Sequence, residues 1–340
     1  MSQKKKKIWR LVFWLIIGLL VLWYIKFADH YPRQITLQAK PDFWGVTYSV
    51  KMADSLGLDW REAYLAVLDD LQAKNIRIPI YWDQIEKNKG EYDFSNYDYI
   101  FDEGDRRGVD FVANIGYRLP RWPECHAPQW LDQKNDSERE QATLDMLAVI
   151  INHYKDRPAI KVWQIENEPL FNLFGECPKG HLDFLQKEIA LARNLDKTRP
   201  ILVSVSGELS TWRQEARAGD YLGTTMYRVV WNKWFGYFRY PWPDWFYRFK
   251  AWLVGVSKDH LLISELQVEP WVPKGNLASF PDQEAAKSLS LEQLKANLQY
   301  AINTDLPQAY LWGVEWWYVK YKQGDTIYWT FMKSVLANNK

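Results

Sequence analysis

Residues 162–171 read VWQIENEPLF, an apolar run that ends in two acids, an amide and a proline. The run from residue 159 to residue 165 has the length and the β-branched and aromatic content of a buried strand. Glu166, Asn167 and Glu168 follow it directly. Polar groups crowded at the end of a core strand indicate a functional rim, and the elements on either side decide which fold this rim belongs to.

Strand-like and helix-like segments alternate along most of the chain. The predicted strands are 44–49, 76–82, 110–117, 159–165, 200–206, 221–227, 261–266 and 309–316. The predicted helices are 59–74, 96–108, 137–155, 182–195, 289–303 and 325–338. Eight strands alternating with helices predict an α/β fold, a single (β/α)8 TIM barrel, for which ~250 residues is typical. A doubly wound open sheet is the alternative, but no glycine fingerprint follows the first strand.

The amino terminus combines four lysines with a long apolar stretch that only Arg10 interrupts early. A bilayer-spanning helix needs ~20 apolar residues, so the sequence predicts a transmembrane signal anchor at 8–27. A cytoplasmic basic tail, 1–7, precedes it, and a linker, 28–41, follows. A cleaved signal peptide is the alternative, although no small-residue cleavage motif follows the apolar stretch. The positive-inside rule predicts that the barrel, residues 42–340, lies outside the cytoplasm.

Composition narrows the classes of partner. Aromatic residues make up 16% of the 340 residues, with 20 tryptophans and 20 tyrosines, and such a surplus is typical of sugar-binding and membrane-interface proteins. Residues 1–27 hold six of the 43 basic residues and no acid, so the remainder is net acidic and no nucleic-acid partner is expected. The five histidines show no metal-binding spacing, and we expect neither a metal nor an organic cofactor.

Two predicted strands end in glutamates. Active sites of TIM barrels lie at the carboxyl ends of the strands, where Glu168 follows the fourth strand and Glu265 ends the seventh. A single strand-end glutamate is readily explained as a loop acid or an ion-pair partner. Two opposed carboxylates are what glycoside hydrolysis requires, because one donates a proton to the leaving oxygen while the other attacks the anomeric carbon. Glu166 is two residues from Glu168, so in a regular strand both lie on the same face, and Glu166 is an alternative candidate for the acid.

These two motifs resemble the clan A retaining glycoside hydrolases, (β/α)8 barrels that include family 5 cellulases and mannanases and family 42 β-galactosidases. Asn-Glu-Pro stands at 167–169 and Ile-Ser-Glu at 263–265, and the resemblance extends over roughly residues 42–335. It implies that Glu168 is the general acid/base, in preference to Glu166, and that Glu265 is the nucleophile. No exact family is assigned.

The resemblance implies further residues around the nucleophile and the sugar. Arg77 on the second strand would steady the nucleophile carboxylate, and Tyr227 at the end of the sixth strand would donate a hydrogen bond to it. Asn167 would bind the sugar 2-hydroxyl.

Aromatic candidates are less specific. A tryptophan on the eighth strand would form the floor of the sugar site, and Trp316 is the first choice, with Trp312 and Trp317 as alternatives. In the loop after the third strand, Trp122 and His126 are candidate substrate-binding residues, with plain loop packing as the alternative.

Two further features have open interpretations. Cys125 and Cys177 fit a single extracytoplasmic disulfide that would staple the loops after strands three and four, or else two buried thiols. The segment 231–252 holds twelve aromatic residues in 22 positions. It fits sugar-stacking platforms, a segment lying against the membrane, or packing of the sixth helix.

The sequence therefore predicts a membrane-anchored retaining β-glycosidase that cleaves O-glycosidic bonds of an oligosaccharide, polysaccharide or glycoconjugate by double displacement. A transglycosylase with the same two glutamates is an alternative. A catalytically silent barrel that binds glycans or a protein partner is another, and the presence of both Glu168 and Glu265 argues against it.

Overall fold

The computed structural model describes residues 3–28, 34–132, 134–273 and 277–338. Ten strands occur in chain order: Trp44–Thr47 (β1), Asn75–Pro79 (β2), Asp110–Ile115 (β3), Ile160–Ile165 (β4), Ile201–Val205 (β5), Tyr221–Met226 (β6), Val229–Asn232 (β7), Gly236–Arg239 (β8), Leu261–Gln267 (β9) and Ala309–Trp312 (β10). Eight of them close into a parallel barrel in the order β1-β10-β9-β6-β5-β4-β3-β2, and β7 and β8 form a separate antiparallel hairpin. The predicted TIM barrel is confirmed, with all eight predicted strands in place.

Helices alternate with the barrel strands, and a long helix precedes the first strand. They are Gln3–Ala28 (α1), Val50–Ser55 (α2), Trp60–Asp69 (α3), Trp82–Ile85 (α4), Ser95–Asp105 (α5), Asp136–Tyr154 (α6), Leu182–Leu195 (α7), Trp245–Val254 (α8), Asp282–Ala285 (α9), Leu291–Asn303 (α10), Val314–Lys322 (α11) and Ile327–Ala337 (α12). Side chains cap the amino termini of several helices. Asn135 and Glu138 form a capping box at α6, and Asp59 accepts two backbone N–H groups at α3. The six helices predicted from periodicity all occur.

The predicted eighth strand is wrong at its end. The strand stops at Trp312, and Gly313, with a φ of 135°, turns the chain directly into α11. A Cβ at Gly313 would lie 2.5 Å from the Cβ of Glu269, so only glycine fits this turn. Trp316 therefore lies on a helix, not on the barrel strand.

The barrel interior changes from apolar to polar along the strands. Val112, Leu202, Leu262 and Tyr310, from four different strands, form an apolar cluster inside the barrel. Buried polar side chains follow them towards the carboxyl ends of the strands, namely Arg77, Asn114, Gln164 and Ser204. The main core lies between the strands and the outer helices. This layering leaves the carboxyl ends of the strands as the polar end of the barrel.

Within the described part of the chain, the segment Lys5–Tyr24 of α1 is long and apolar enough to cross a membrane, by length and composition. The segment 34–41 then runs along α10, where the side-chain oxygen of Gln299 accepts the backbone N–H groups of Thr36 and Leu37. Parts of the predicted tail and linker, residues 1–2 and 29–33, lie outside the described residues.

Candidate active site

A cavity of about 580 Å³ opens at the carboxyl ends of the barrel strands. Its polar lining includes Glu124, Asn167, Glu168, Glu208, Glu265 and Glu269. Two strands, β5 and β6, lie between β4 and β9 in the ring, so Glu168 and Glu265 approach the cavity from well-separated parts of the barrel. The structure thus brings both predicted glutamates into one cavity.

The backbone at the end of β4 is unusual. Glu166 and Glu168 both have positive φ angles, 61° and 46°, a region that costs a non-glycine residue ~1–3 kcal/mol. Neighbouring groups hold this conformation, since the Oγ of Ser204 accepts the N–H of Glu168 at 2.9 Å. Glu168 lines the cavity as a result, whereas Glu166 does not.

The environment of Glu168 favours its protonated form. Burial raises its pKa well above the ordinary carboxyl value, and the negative charges of Glu265 and Glu124 raise it further. The Oγ1 of Thr225 is a distant hydrogen-bond donor to its carboxylate, at 3.5 Å from Oε1. A carboxyl group in such surroundings can deliver a proton at neutral pH.

Glu265 has the opposite environment. The register between β6 and β9 shifts between Ile263 and Glu265, and such a bulge re-aims the side chain that follows it. The Nη1 of Arg77 donates to Oε1 of Glu265 at 2.9 Å, and the hydroxyl of Tyr227 donates to Oε2 at 2.9 Å. Both carboxylate oxygens are thereby held by donors, which fixes the orientation of the carboxylate.

Asn167 links the two strand ends. Its Oδ1 accepts from the Nη2 of Arg77 at 2.9 Å and from the Oγ of Ser204 at 3.0 Å. Its Nδ2 donates to Oε2 of Glu124 at 3.2 Å. The amide is therefore fixed with its NH2 group at the cavity, in the orientation that a sugar hydroxyl acceptor requires.

The predicted tryptophans separate into two groups. Trp312 lines the cavity, and the guanidinium of Arg121 lies 3.9 Å from its ring centre. Trp316 is buried, packs against Tyr328 and does not line the cavity, so the preference for Trp316 is corrected and Trp312 remains the candidate for the floor. Trp317 is also buried away from the cavity, and its indole N–H donates to the carbonyl of Val268.

The two candidates in the loop after β3 also differ. Trp122 lines the cavity and is 60% exposed. His126 does not line it: the ring is buried, with Nδ1 3.1 Å from the Nζ of Lys51 and Nε2 3.0 Å from the carbonyl of Arg121. Burial lowers the pKa of His126 to about 4, so the ring is a neutral packing group. The suggested contact between His126 and the substrate is therefore corrected.

Glu166 belongs to a different surface. Its carboxylate accepts the backbone N–H groups of Tyr117 and Arg118, each at 2.6 Å, and it neighbours Glu188 in a second cavity of about 340 Å³. Gly116 makes this approach possible, because a Cβ there would lie 2.5 Å from Oε1 of Glu166. These hydrogen bonds tie the carboxylate of Glu166 to the backbone of the loop after β3, which is a structural role.

Three residues of the cavity escaped the sequence reasoning. Glu208 follows β5 and accepts from the hydroxyl of Tyr247 at 2.7 Å, and burial raises its pKa to about 7. Burial likewise raises the pKa of Glu124 to about 8. Arg121 bonds Glu269 across the rim. Glu208 follows a strand as Glu168 does, so the same strand-end argument could have found it, whereas Glu124 and Arg121 lie in a loop without such a signal.

Cys125 and Cys177 form a disulfide, with an S–S distance of 2.10 Å and a Cα–Cα distance of 5.5 Å. It joins the loop after β3 to the loop after β4. A backbone bond of 3.0 Å from Glu176 to Pro123 runs beside it. Two of the loops that border the cavity are thus tied together.

Metal ligation has no support in the described ranges, where no three His, Cys, Asp or Glu side chains are grouped to hold an ion.

Similar barrels occur in known proteins. The family profile described as glycosyl hydrolases family 2, TIM barrel domain, matches residues 96–237. Native xylanase 10B from Thermotoga maritima is 14% identical, with a TM-score of 0.54, over 81% of this chain and 82% of that chain. GH5_18 from Bifidobacterium longum subsp. longum ATCC 55813 is 14% identical, with a TM-score of 0.56, over 81% and 69%.

A polyextremophilic β-galactosidase from the Antarctic haloarchaeon Halorubrum lacusprofundi is 14% identical, with a TM-score of 0.53, over 79% of this chain and 52% of that chain. A search of the curated proteins found no match. The resemblance expected from the two glutamate motifs is confirmed at the level of the barrel and of its neighbours. The chain has a TIM barrel that is similar to those of glycoside hydrolases, and its exact family is not assigned.

Proposed function

We propose that this protein is a membrane-anchored retaining β-glycosidase that acts outside the cytoplasm, with Glu265 as nucleophile and Glu168 as general acid/base. One observation carries the proposal: the two glutamates line the same cavity in opposite environments. Arg77 and Tyr227 donate to both oxygens of Glu265, while burial and neighbouring acids raise the pKa of Glu168. A retaining glycosidase needs this division between an ionised and a protonated carboxyl group.

The first step forms a glycosyl ester. Oxygen of the Glu265 carboxylate attacks the anomeric carbon, the bond from that carbon to the leaving oxygen breaks, and the proton of Glu168 moves to the leaving oxygen. The departing alcohol takes the electron pair of the broken bond together with that proton. Tyr227 and Arg77 then face an ester instead of a full carboxylate charge.

The second step reverses the roles. Glu168, now ionised, takes a proton from water, and the resulting hydroxide oxygen attacks the anomeric carbon. The ester bond breaks, the electron pair returns to Glu265, and Glu168 is protonated again. Two inversions at one carbon give net retention.

Asn167 is proposed to bind the sugar 2-hydroxyl. Its side-chain NH2 group faces the cavity because Arg77 and Ser204 occupy its oxygen. A hydrogen bond from this amide to the 2-hydroxyl gains strength as charge develops at the anomeric carbon. Glu124, which accepts from the same NH2 group, keeps it oriented before substrate arrives.

Saccharide substrates and membrane attachment have separate support. A xylanase 10B from Thermotoga petrophila and a GH5_18 variant from Bifidobacterium longum were solved with xylobiose and with Manb1-4GlcNAc, respectively. The apolar segment Lys5–Tyr24 with its preceding lysines supports an anchor whose amino terminus stays cytoplasmic.

The test is hydrolysis of aryl β-glycosides (glucoside, galactoside, mannoside, xyloside and cellobioside) by the full-length protein in detergent. We expect turnover of at least one, its loss in Glu265→Ala, and its recovery with external azide as a glycosyl azide. Glu176→Ala, which replaces an exposed glutamate of the loop after β4, is the matched control and should leave turnover unchanged. Turnover that survives Glu265→Ala would contradict the assignment of the nucleophile.

A further inference from the structure

The hairpin β7–β8 ends in two of the most exposed large apolar side chains of the barrel region. Trp234 is 78% exposed and Phe235 is 81% exposed, and Lys233 beside them is exposed as well. The side chain of Asn232 accepts the backbone N–H groups of Trp234 and Phe235, at 3.0 and 2.9 Å, and so fixes the turn that presents them. An ordered turn that holds tryptophan and phenylalanine in water indicates a surface with a partner.

The apolar helix α1 meets this hairpin. The ring of Tyr24 stacks on Phe238 of β8, with 6.4 Å between centres and 8° between planes. The ring of Trp23 contacts Trp242, just beyond β8, at 5.5 Å, and Trp242 stacks in turn on Phe246 of α8. If α1 spans a bilayer, these contacts hold the hairpin at the membrane surface, the depth at which tryptophan and tyrosine concentrate.

The same hairpin forms one wall of the catalytic cavity. Val230, Trp231 and Asn232 of β7, together with Tyr240 beyond β8, line it. The cavity thus opens beside the end of α1. Leu173 and Leu209, which also line the cavity, are 83% and 55% exposed, so the mouth carries apolar side chains in addition to the sugar-facing acids.

We propose that the tip of the β7–β8 hairpin docks on the outer surface of the bilayer and that the cavity takes a saccharide whose aglycone is a membrane lipid. The inference rests on the proposed function, whose anchor and catalytic pair it uses, and it adds the substrate class. An apolar mouth next to the membrane suits a sugar that enters the cavity while its lipid remains in the bilayer. Lys233 adds a positive charge at the level of anionic headgroups.

Docking is tested by measuring how deeply the hairpin tip lies in the bilayer, with no activity assay. The full-length protein with Phe235→Cys, labelled with a thiol-reactive fluorophore, is placed in vesicles that contain brominated phospholipid. The native cysteines are bonded to each other and stay unlabelled without reductant. We expect brominated lipid to quench the label at position 235, and not a label at Asn152→Cys, an exposed site near the end of α6. Absence of quenching at position 235 would overturn the docking.

The substrate class is tested by comparing two substrates of one sugar. The double variant Trp234→Ser/Phe235→Ser is assayed in vesicles on two substrates. One is whichever of the aryl β-glycosides above the parent protein hydrolyses, and the other is the dioleoylglycerol glycoside of the same sugar. Since neither residue lines the cavity, we expect unchanged turnover of the aryl glycoside. We expect kcat/KM for the lipid glycoside to fall about tenfold, because the hairpin no longer holds the mouth at the bilayer.

A matched control and the contrary results complete the design. Ile327→Ser, which removes another exposed apolar side chain, on α12 and outside the cavity lining, should leave both activities unchanged. An equal loss, or no loss, on both substrates in the double variant would overturn the inference, as would stacking of a soluble polysaccharide on Trp234. Aryl hydrolysis without lipid-glycoside hydrolysis would contradict the inference alone, whereas inactivity on every glycoside would contradict the proposed function itself.

Discussion

Arg77 reaches across the barrel interior to Glu265, with 2.9 Å between its Nη1 and the carboxylate Oε1. Both side chains are buried, and the arginine is wholly inaccessible. The remaining nitrogens of the guanidinium donate to Gln164 and Asn167, so this one side chain connects β2, β4 and β9. The position of the proposed nucleophile therefore depends on a residue that never reaches the cavity surface.

Replacing Arg77 with methionine should harm both stability and activity. Removing one partner of a buried ion pair leaves an uncompensated charge and costs about 3–5 kcal/mol. Urea unfolding and aryl glycoside turnover measure the two losses. Arg107→Met, which breaks the surface pairs with Asp69 and Glu103, should cost about 0–1 kcal/mol for each pair and spare turnover. Equal effects of the two variants would show that the Arg77 pair has no special importance.

Glu168→Gln should slow substrates according to their leaving groups. Alkyl glycosides need a proton on the departing oxygen, so their kcat/KM should fall ~10²–10⁴-fold. Dinitrophenolate departs without that proton, so the first step of dinitrophenyl glycoside hydrolysis should slow far less. Steady-state and burst kinetics on both substrates measure the difference, and an equal loss on both would argue against Glu168 as the acid.

Activity should persist to a pH above the ordinary range of a carboxylic acid. The acid form of Glu168 is required, and burial and the charges of Glu265 and Glu124 raise its pKa, so the alkaline limb of kcat/KM lies correspondingly high. Glu124 is ionised above a pH of about 8, so Glu124→Gln removes a negative charge in that range and should move the limb to lower pH. The pH–rate profile reports the shift, and Glu176→Gln, outside the cavity, should leave the limb in place.

Trp312→Ala should weaken the sugar site, whereas Trp316→Phe should not. Trp312 offers its ring to the cavity, and loss of a stacking surface is expected to lower kcat/KM by about tenfold. Trp316 packs in the core, so its replacement should lower the free energy of unfolding and leave KM unchanged. The reverse pattern would restore the choice made from sequence.

Reducing the disulfide should destabilise the protein. Cys125 and Cys177 are 52 residues apart, and closing a loop of that length is worth about 2–4 kcal/mol. Urea unfolding with and without dithiothreitol measures the loss. The double variant Cys125→Ser/Cys177→Ser should already be at the lower stability and insensitive to the reductant. If dithiothreitol leaves the free energy of unfolding of the parent protein unchanged, the disulfide contributes little to its stability.

Sequence reasoning was strongest where periodicity and short motifs carry the information. The eight strands follow from their composition and spacing, and Glu168 and Glu265 follow from their places at strand ends. It failed where a single backbone turn decides the outcome: Gly313 ends β10 early and removes Trp316 from the site. The alternation of side chains between the two faces of a strand could not separate Glu166 from Glu168. The positive φ angles at both residues break that alternation.

Long-range packing lay beyond the sequence for a different reason. Glu124 and Arg121 enter the cavity from a loop whose path depends on bonds to Glu269 and to the loop after β4. No periodicity encodes such a path. The aromatic segment 231–252 likewise had three interpretations, and its residues lie in different places: Trp231 lines the cavity, Tyr247 is buried in the core and Trp234 is exposed.

The left-handed backbone at Glu168 has a consequence for engineering. A glycine there would relieve the conformational strain, so Glu168→Gly should fold more stably and yet lack the proposed proton donor. Stability and catalysis make opposite demands on this one position. A programme that selects variants by thermal tolerance alone would be drawn to it and would discard the activity that it meant to preserve.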